Sequence, residues 1–325
     1  MKRLRQYEGK LSLLLILAIS VLCAGFFIVS CGNDPQQKTK DTNKGAYAID
    51  FSHCPSGESC TASPKGSEVT PVPDISGRDV TLEAWVKKNV TSTLGGGIFG
   101  RFAGFGAKLS VDNDSPKFVI GRLPIQTTST EPVGCTAVGV TTTECTVNSG
   151  ISLIADVWTH IAGVLVNRNH NSVHAACGGA QTGAEAQIPH LDIYINGDFV
   201  DCSTTGSLPV DNPGNEDMVI GFLNGAVIDE LRLWVFEKSE NDRKMTEAER
   251  IKKCMNTELG VGGDCDRGDR DLAAYYRLNE GEGADVTDIS GNGFSGGFEW
   301  VRGADDFPTW EDGWVTPGAP IKPAD

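Results

Sequence analysis

The residues best suited to chemistry in this sequence are carboxylates in apolar or glycine-rich settings. Asp229 lies in Asn224–Phe236 (NGAVIDELRLWVF), which reads as a strand after a glycine turn. Strict alternation places Val227, Asp229, Leu231, Leu233 and Val235 on one face. Ile228, Glu230, Arg232, Trp234 and Phe236 then take the other. A carboxylate among Leu and Val must be paired, hydrogen-bonded or bound to a cation. Asp229 is therefore either a structural carboxylate on backbone N–H groups or a calcium ligand. Asp288 and Asn292, in Asp288–Gly293 (DISGNG), offer a second set of oxygen ligands. Asp112 and Asp114, in Asp112–Asp114 (DND), offer a third, although Asp and Asn also favour plain solvated turns. Gly291 and Gly293 free backbone carbonyls to turn inward, which favours the Asp288 turn as the structural calcium site.

Catalysis is not expected. Glycoside hydrolysis needs two carboxyl groups about 5–5.5 Å or about 6.5–9.5 Å apart. Asp229 and Glu230 are adjacent, so alternation points them to opposite faces, and Leu231–Phe236 contains no further acid. HExxH, G-x-S-x-G and Walker-type loops are absent from the sequence. His170, His174 and Cys177 resemble part of a zinc set, but no fourth ligand is evident and Cys177 is expected to be oxidised. Trp300, Trp310 and Trp314, with Phe298 and Phe307, form an aromatic-rich C-terminal stretch. Their rings either cover an edge of the fold or stack on sugar.

The elements that must position these residues begin with an export signal. Met1–Lys10 is basic, Leu11–Val29 is apolar, and Ile28-Val29-Ser30-Cys31 follows. This ending resembles the lipobox of bacterial lipoproteins. The resemblance implies cleavage before Cys31, lipidation of its thiol and a palmitate-type anchor; the alternative is an uncleaved membrane anchor. Gly32 after the cysteine is similar to signals for the outer membrane, which sets the expected location in a bacterial cell envelope. Eight cysteines remain: Cys54, Cys60, Cys135, Cys145, Cys177, Cys202, Cys254 and Cys265. An even number in an exported chain argues for disulfides. Spacing suggests Cys54–Cys60, Cys135–Cys145 and Cys254–Cys265, leaving Cys177 with Cys202.

The 325 residues include 39 glycines and carry a formal charge of −15, which argues against nucleic acid as a partner. Turn signals are dense and helical periodicity is scarce. Strands are expected at Ala46–Phe51, Val80–Lys88, Ile98–Phe102, Ala107–Val111, Lys117–Leu123, Ile151–Asp156, Val157–Val166 and Leu272–Leu278. Gly95–Gly97 reads as a turn. Pro124–Gly150 reads as a disulfide-tied hairpin or insertion. Leu191–Cys202 reads as a hairpin about Asn196-Gly197. One helix, Glu247–Met255, is expected behind the capping box Thr246-Glu-Ala-Glu249.

Val80–Trp85 (VTLEAW), Trp158–Ala162 (WTHIA), Leu191–Gly197 (LDIYING) and Gly225–Trp234 (GAVIDELRLW) together resemble the LamG-like, concanavalin A-like jelly rolls, in order and spacing. The resemblance implies an all-β, antiparallel two-sheet jelly-roll sandwich with one short helix towards the C-terminus. It implies loops gathered at one rim, and a fold that serves lectins, adhesion modules, glucanases and spacers alike. The DISGNG element is common near the start of such domains but lies near the end here. It implies a circular arrangement, with the C-terminal strand beside Ala46–Phe51, or a truncated second repeat.

The expected organisation is a signal peptide (1–30), a lipidated cysteine with linker (31–44), the jelly roll (45–300) and a Pro- and Trp-containing tail (301–325). The expected function is a surface-anchored, non-catalytic binding module for a glycan or protein ligand. A structural or adhesion lipoprotein, and a degenerate or accessory glycoside hydrolase, are the alternatives.

Overall fold

The computed structural model describes residues 47–51, 60–63, 75, 77–89, 93–100, 106–124, 135–137, 142–166, 190–204, 218–221, 223, 225–237, 245–281, 285–300 and 314–322. The expected signal peptide and linker, Cys31, Cys54, His170, His174, Cys177 and Trp310 lie outside the described residues. So do the side chains of Cys60, Cys135 and Trp300. In chain order the strands are β1 (Ala48–Asp50), β2 (Cys60–Ser63), β3 (Asp79–Lys88), β4 (Gly96–Gly100), β5 (Gly106–Asp112), β6 (Ser115–Pro124), β7 (Cys135–Ala137), β8 (Thr142–Asn148), β9 (Trp158–Val166), β10 (His190–Ile195), β11 (Asp198–Thr204), β12 (Val219–Gly221), β13 (Ala226–Phe236), β14 (Leu272–Tyr276), β15 (Asp285–Val286), β16 (Gly296–Trp300) and β17 (Trp314–Val315).

Two antiparallel sheets form a sandwich. The first runs β11-β10-β9-β3-β13-β1-β17, with β14 also on β13. The second runs β15-β16-β2-β12-β4-β5-β6-β8-β7. The main core lies between them. Val80, Leu82, Ala84 and Val86 enter it from β3, as alternation predicts, and meet Leu109, Phe118, Ile120 and Val147 of the second sheet. Burial of such alternating apolar faces is the main driving force for this architecture.

The outer face of the first sheet is covered by the helix α1 (Glu247–Cys254) and the segment after it. Thr246 accepts from Glu249 N, and Glu249 accepts from Thr246 N, so the capping box forms as expected. The disulfide Cys254–Cys265 ties the end of α1 to the following loop. Asn196 and Gly197 make the β10–β11 turn with φ of 52° and 78°, matching the hairpin signal. Asn113 and Asp114 make the β5–β6 turn in the same way, with φ of 50° and 66°.

Three expectations are corrected. Gly96 and Gly97 belong to β4 rather than to a turn. Ile151–Asp156 is not a strand; only Leu153 turns to the core, and Gly150 and Asp156 take φ of 63° and 61°, which breaks an extended run. The third correction concerns the C-terminal strand. β14 does not pair with β1; the two lie end to end on one edge of β13, opposite Leu231–Trp234 and Val227–Ile228 respectively. β17 is the strand that pairs with β1. Within 314–322, β17 extends the first sheet and Lys322 exchanges backbone bonds with Asn256 and Glu258.

Candidate functional site

The carboxylates of β13 sit at a bulge. Asp229 faces Trp85 of β3, but the next paired residue, Arg232, faces Glu83, so Glu230 and Leu231 share one partner position. Glu230 takes φ of 51° to make this step. The bulge changes which residues reach the core: Ile228 before it and Leu231 after it both do. Asp229 and Glu230 therefore both leave the core face, contrary to the strict alternation expected. Each is 3% exposed. Asp229 Oδ1 accepts from Glu230 N at 2.9 Å and Oδ2 accepts from Ala319 N at 2.7 Å. Glu230 accepts from the Tyr275 hydroxyl at 2.6 Å and from Arg232 at 3.3 Å. Burial holds both carboxyls above their ordinary range, and for Asp229 the neighbouring Glu230 adds to it. The pair is buried and engaged by these hydrogen bonds.

A charge network continues beneath α1. Glu83 is paired with Arg250 at 2.7 Å and with His160 Nε2 at 3.2 Å, and Arg232 lies 4.0 Å away. Burial alone would raise the Glu83 pKa; Arg250, the His160 bond and Arg232 outweigh it, and it is held well below the carboxylate range. Burial pushes His160 below its ordinary value, against the pull of Glu83. Arg250 also bonds Glu247 and lies 4.0 Å over the Trp234 ring. This network fastens the helix to the sheet, and its members are at most 7% exposed.

The other expected metal positions are filled by hydrogen-bond donors. Asp288 accepts from Tyr275 N, Ser290 N, Phe294 N and the Ser290 hydroxyl. Asn292 turns its amide nitrogen to the carbonyls of Leu272 and Ala273. Asp112 pairs with Lys117 at 3.3 Å and Asp114 with Lys88 at 2.7 Å. The bond from Lys88, then that from Leu94 N, lowers the Asp114 pKa. Calcium takes six to eight oxygens, whereas these carboxylates face N–H and ammonium groups. The residues present do not fit a calcium cage. Among the described residues no group of three or more His, Cys, Asp or Glu could hold a metal.

An open feature lies on the other sheet. A groove of about 450 Å³ runs over the outer face of β4, β5, β6 and β8. Gly95–Gly97 border it without side chains, and Lys108, Ser110, Lys117, Glu144 and Thr146 line it. These are the residues that alternate with the core residues Ala107, Leu109, Phe118, Cys145 and Val147. Lys108 pairs with Glu144 at 2.7 Å, and Lys117 with Asp112 at 3.3 Å, all four lining the groove. Ser110 is 6% exposed and its hydroxyl has no hydrogen-bond partner among the described residues. The groove escaped sequence reasoning because its residues are scattered over four strands. Its only local signal was the alternation Ala107-Lys-Leu-Ser-Val111, in which every second residue is polar.

Trp314 is not available for stacking. It is 8% exposed and packs in the main core. Cys145 and Cys202 are disulfide-bonded. Cys135 is the register partner of Cys145 on β7 and β8.

No protein-family model matches the sequence, and no curated protein matches it. Solved structures do. One is a candidate carbohydrate-binding protein from Bacteroides ovatus, at 18% identity and a TM-score of 0.45, covering 78% of this chain and 58% of that one. The chain thus spans less than two thirds of that protein. A second is a SAP-like pentraxin from Limulus polyphemus, at 13% identity and a TM-score of 0.33, over 63% of this chain and 80% of that one. A third is the receptor-binding domain of botulinum neurotoxin D, at 11% identity and 0.33, over 60% and 41%.

Proposed function

We propose that this chain is a non-catalytic binding module, held at a bacterial envelope through lipidated Cys31, whose ligand is a glycan seated in the groove of the second sheet. The observation that carries the reading is Ser110, a nearly buried hydroxyl that lines the groove and has no hydrogen-bond partner among the described residues. A buried hydroxyl left unpaired is costly, and a hydroxylated ligand would satisfy it. The lining balances Lys108 and Lys117 against Glu144 and Asp112 in a chain of net charge −15. Ammonium donors beside carboxylate acceptors match the mixed donor and acceptor character of sugar hydroxyls. A neutral glycan suits that balance better than an anionic one.

The test is a glycan array probed with the full chain in detergent. Binding to neutral glycans, lost in Lys108→Ala, supports the reading; binding retained in that variant, or to no glycan, contradicts it. Lipidation is tested separately by labelling with radioactive palmitate. Label in the wild type and none in Cys31→Ala is the expected result.

A further inference from the structure

The segment between β8 and β9 carries three of the four large apolar side chains that are exposed among the described residues; the fourth is Val261. Ile151, Ile154 and Val157 are 45%, 66% and 46% exposed, while Leu153 between them is 6% exposed and anchors the segment in the core. The backbone is held on both sides. Leu153 N donates to Asp114 O at 2.8 Å, Asp156 N to Lys88 O at 2.8 Å, and Ser149 N to Pro116 O at 2.9 Å. Beneath them, Lys88 is paired with Asp114. These bonds fix the three side chains outward, so a partner meets them without a large cost of ordering.

The base of the loop indicates what meets it. Trp158 follows Val157, and Lys87 Nζ lies 5.2 Å from the Trp158 ring. Exposed apolar side chains followed by a tryptophan and its lysine match the residue types found across a bilayer interface: Trp sits at headgroup level and Lys reaches water. The N-terminal part of the chain supplies the means of approach. From Cys31 to Tyr47 is about 16 residues, which span at most roughly 55 Å when extended, enough to lay this end of the sandwich on a membrane that holds the N-terminus. Asp156 is exposed between Ile154 and Val157. That carboxylate, with the chain's negative net charge, disfavours anionic lipid and favours a zwitterionic surface.

We infer that Ile151, Ile154 and Val157 form a lipid-contacting prong that enters the surface of a zwitterionic bilayer. The inference rests on the reading that the N-terminus is held at a membrane. It does not depend on the groove.

The probe is the chain lipidated at Cys31, reconstituted through that anchor into phosphatidylcholine vesicles. Ile154 or Val261 is replaced by photoreactive benzoylphenylalanine; Val261 is 81% exposed, on the loop closed by Cys254–Cys265. Lipid adducts at position 154 are expected to exceed those at 261 by roughly tenfold, equivalent to about 1.4 kcal/mol of preferential contact. Equal yields at the two positions, no lipid adduct at 154, or adducts at 154 to a second copy of the chain would each overturn the prong. Flotation of the vesicles reports the tether independently. A chain that floats without adducts at 154 keeps the tether and loses the prong, whereas a chain that fails to float removes both.

Discussion

The ring of Phe118 in the second sheet occupies the space beside Gly163 in the first. A Cβ at position 163 would stand 2.3 Å from Phe118 Cγ. There one sheet supplies a ring and the other a bare backbone. Gly163→Ala is therefore expected to destabilise the protein by about 1–3 kcal/mol through overpacking. Phe118→Leu in the same chain should return part of that loss. The check is urea unfolding of both variants, and additive losses in the double variant would contradict the contact.

Stability should fall on mild acidification because of His160. Its folded pKa is depressed, chiefly by burial, while the unfolded chain titrates near about 6.5. Below that pH the unfolded state binds a proton that the folded state resists, so stability is lost as pH falls below about 6.5. Asp229 and Glu230, raised by burial, act in the opposite sense, since the folded state then holds their protons more tightly. The comparison that isolates His160 is wild type against His160→Gln, by unfolding midpoints at pH 7.5 and pH 5.5. The acid-induced drop should be smaller in the variant.

Removing one member of the charge network should cost more than removing a pair. Arg250→Met leaves Glu83 buried without its 2.7 Å partner, and such uncompensated charges cost about 3–5 kcal/mol. Arg250→Met with Glu83→Met should cost less than Arg250→Met alone. A thermal unfolding series on the two variants decides it.

Calcium is expected to have no stabilising effect. The oxygens of Asp288 already accept three backbone N–H groups and one hydroxyl. EDTA and millimolar calcium should give the same melting temperature. Asp288→Ala should lower it in both media by an amount corresponding to about 1–3 kcal/mol for the unsatisfied donors. A calcium-dependent rise in the wild type that Asp288→Ala abolishes would reverse this account.

Much of the fold was legible because strands advertise themselves by alternation. Val80, Leu82, Ala84 and Val86 could be placed inward from sequence, Asn196-Gly197 could be read as a hairpin turn, and Thr246 with Glu249 as a helix start. Alternation failed at Glu230, because a bulge is a decision of the neighbouring strand and leaves little local trace. It failed again at Ile151–Asp156, where an apolar composition belongs to a loop whose shape is set by Leu153 and by bonds to Asp114 and Lys88. The groove was illegible for a related reason. Lys108 and Glu144 are neighbours only once β5, β6 and β8 are in register. Their pairing is a property of the sheet and not of either segment.

The central claim is that the groove holds a glycan, and Glu144 gives the most direct test of it. Its ion pair with Lys108 is partly exposed, so Glu144→Gln should leave the fold almost unchanged. The measurement is calorimetric titration of the wild type and of Glu144→Gln with the strongest neutral glycan from the array. The account predicts at least about tenfold weaker binding in the variant, the loss of one hydrogen bond to a charged group, at an unchanged melting temperature. Equal affinity in the two proteins would contradict the groove as the binding site.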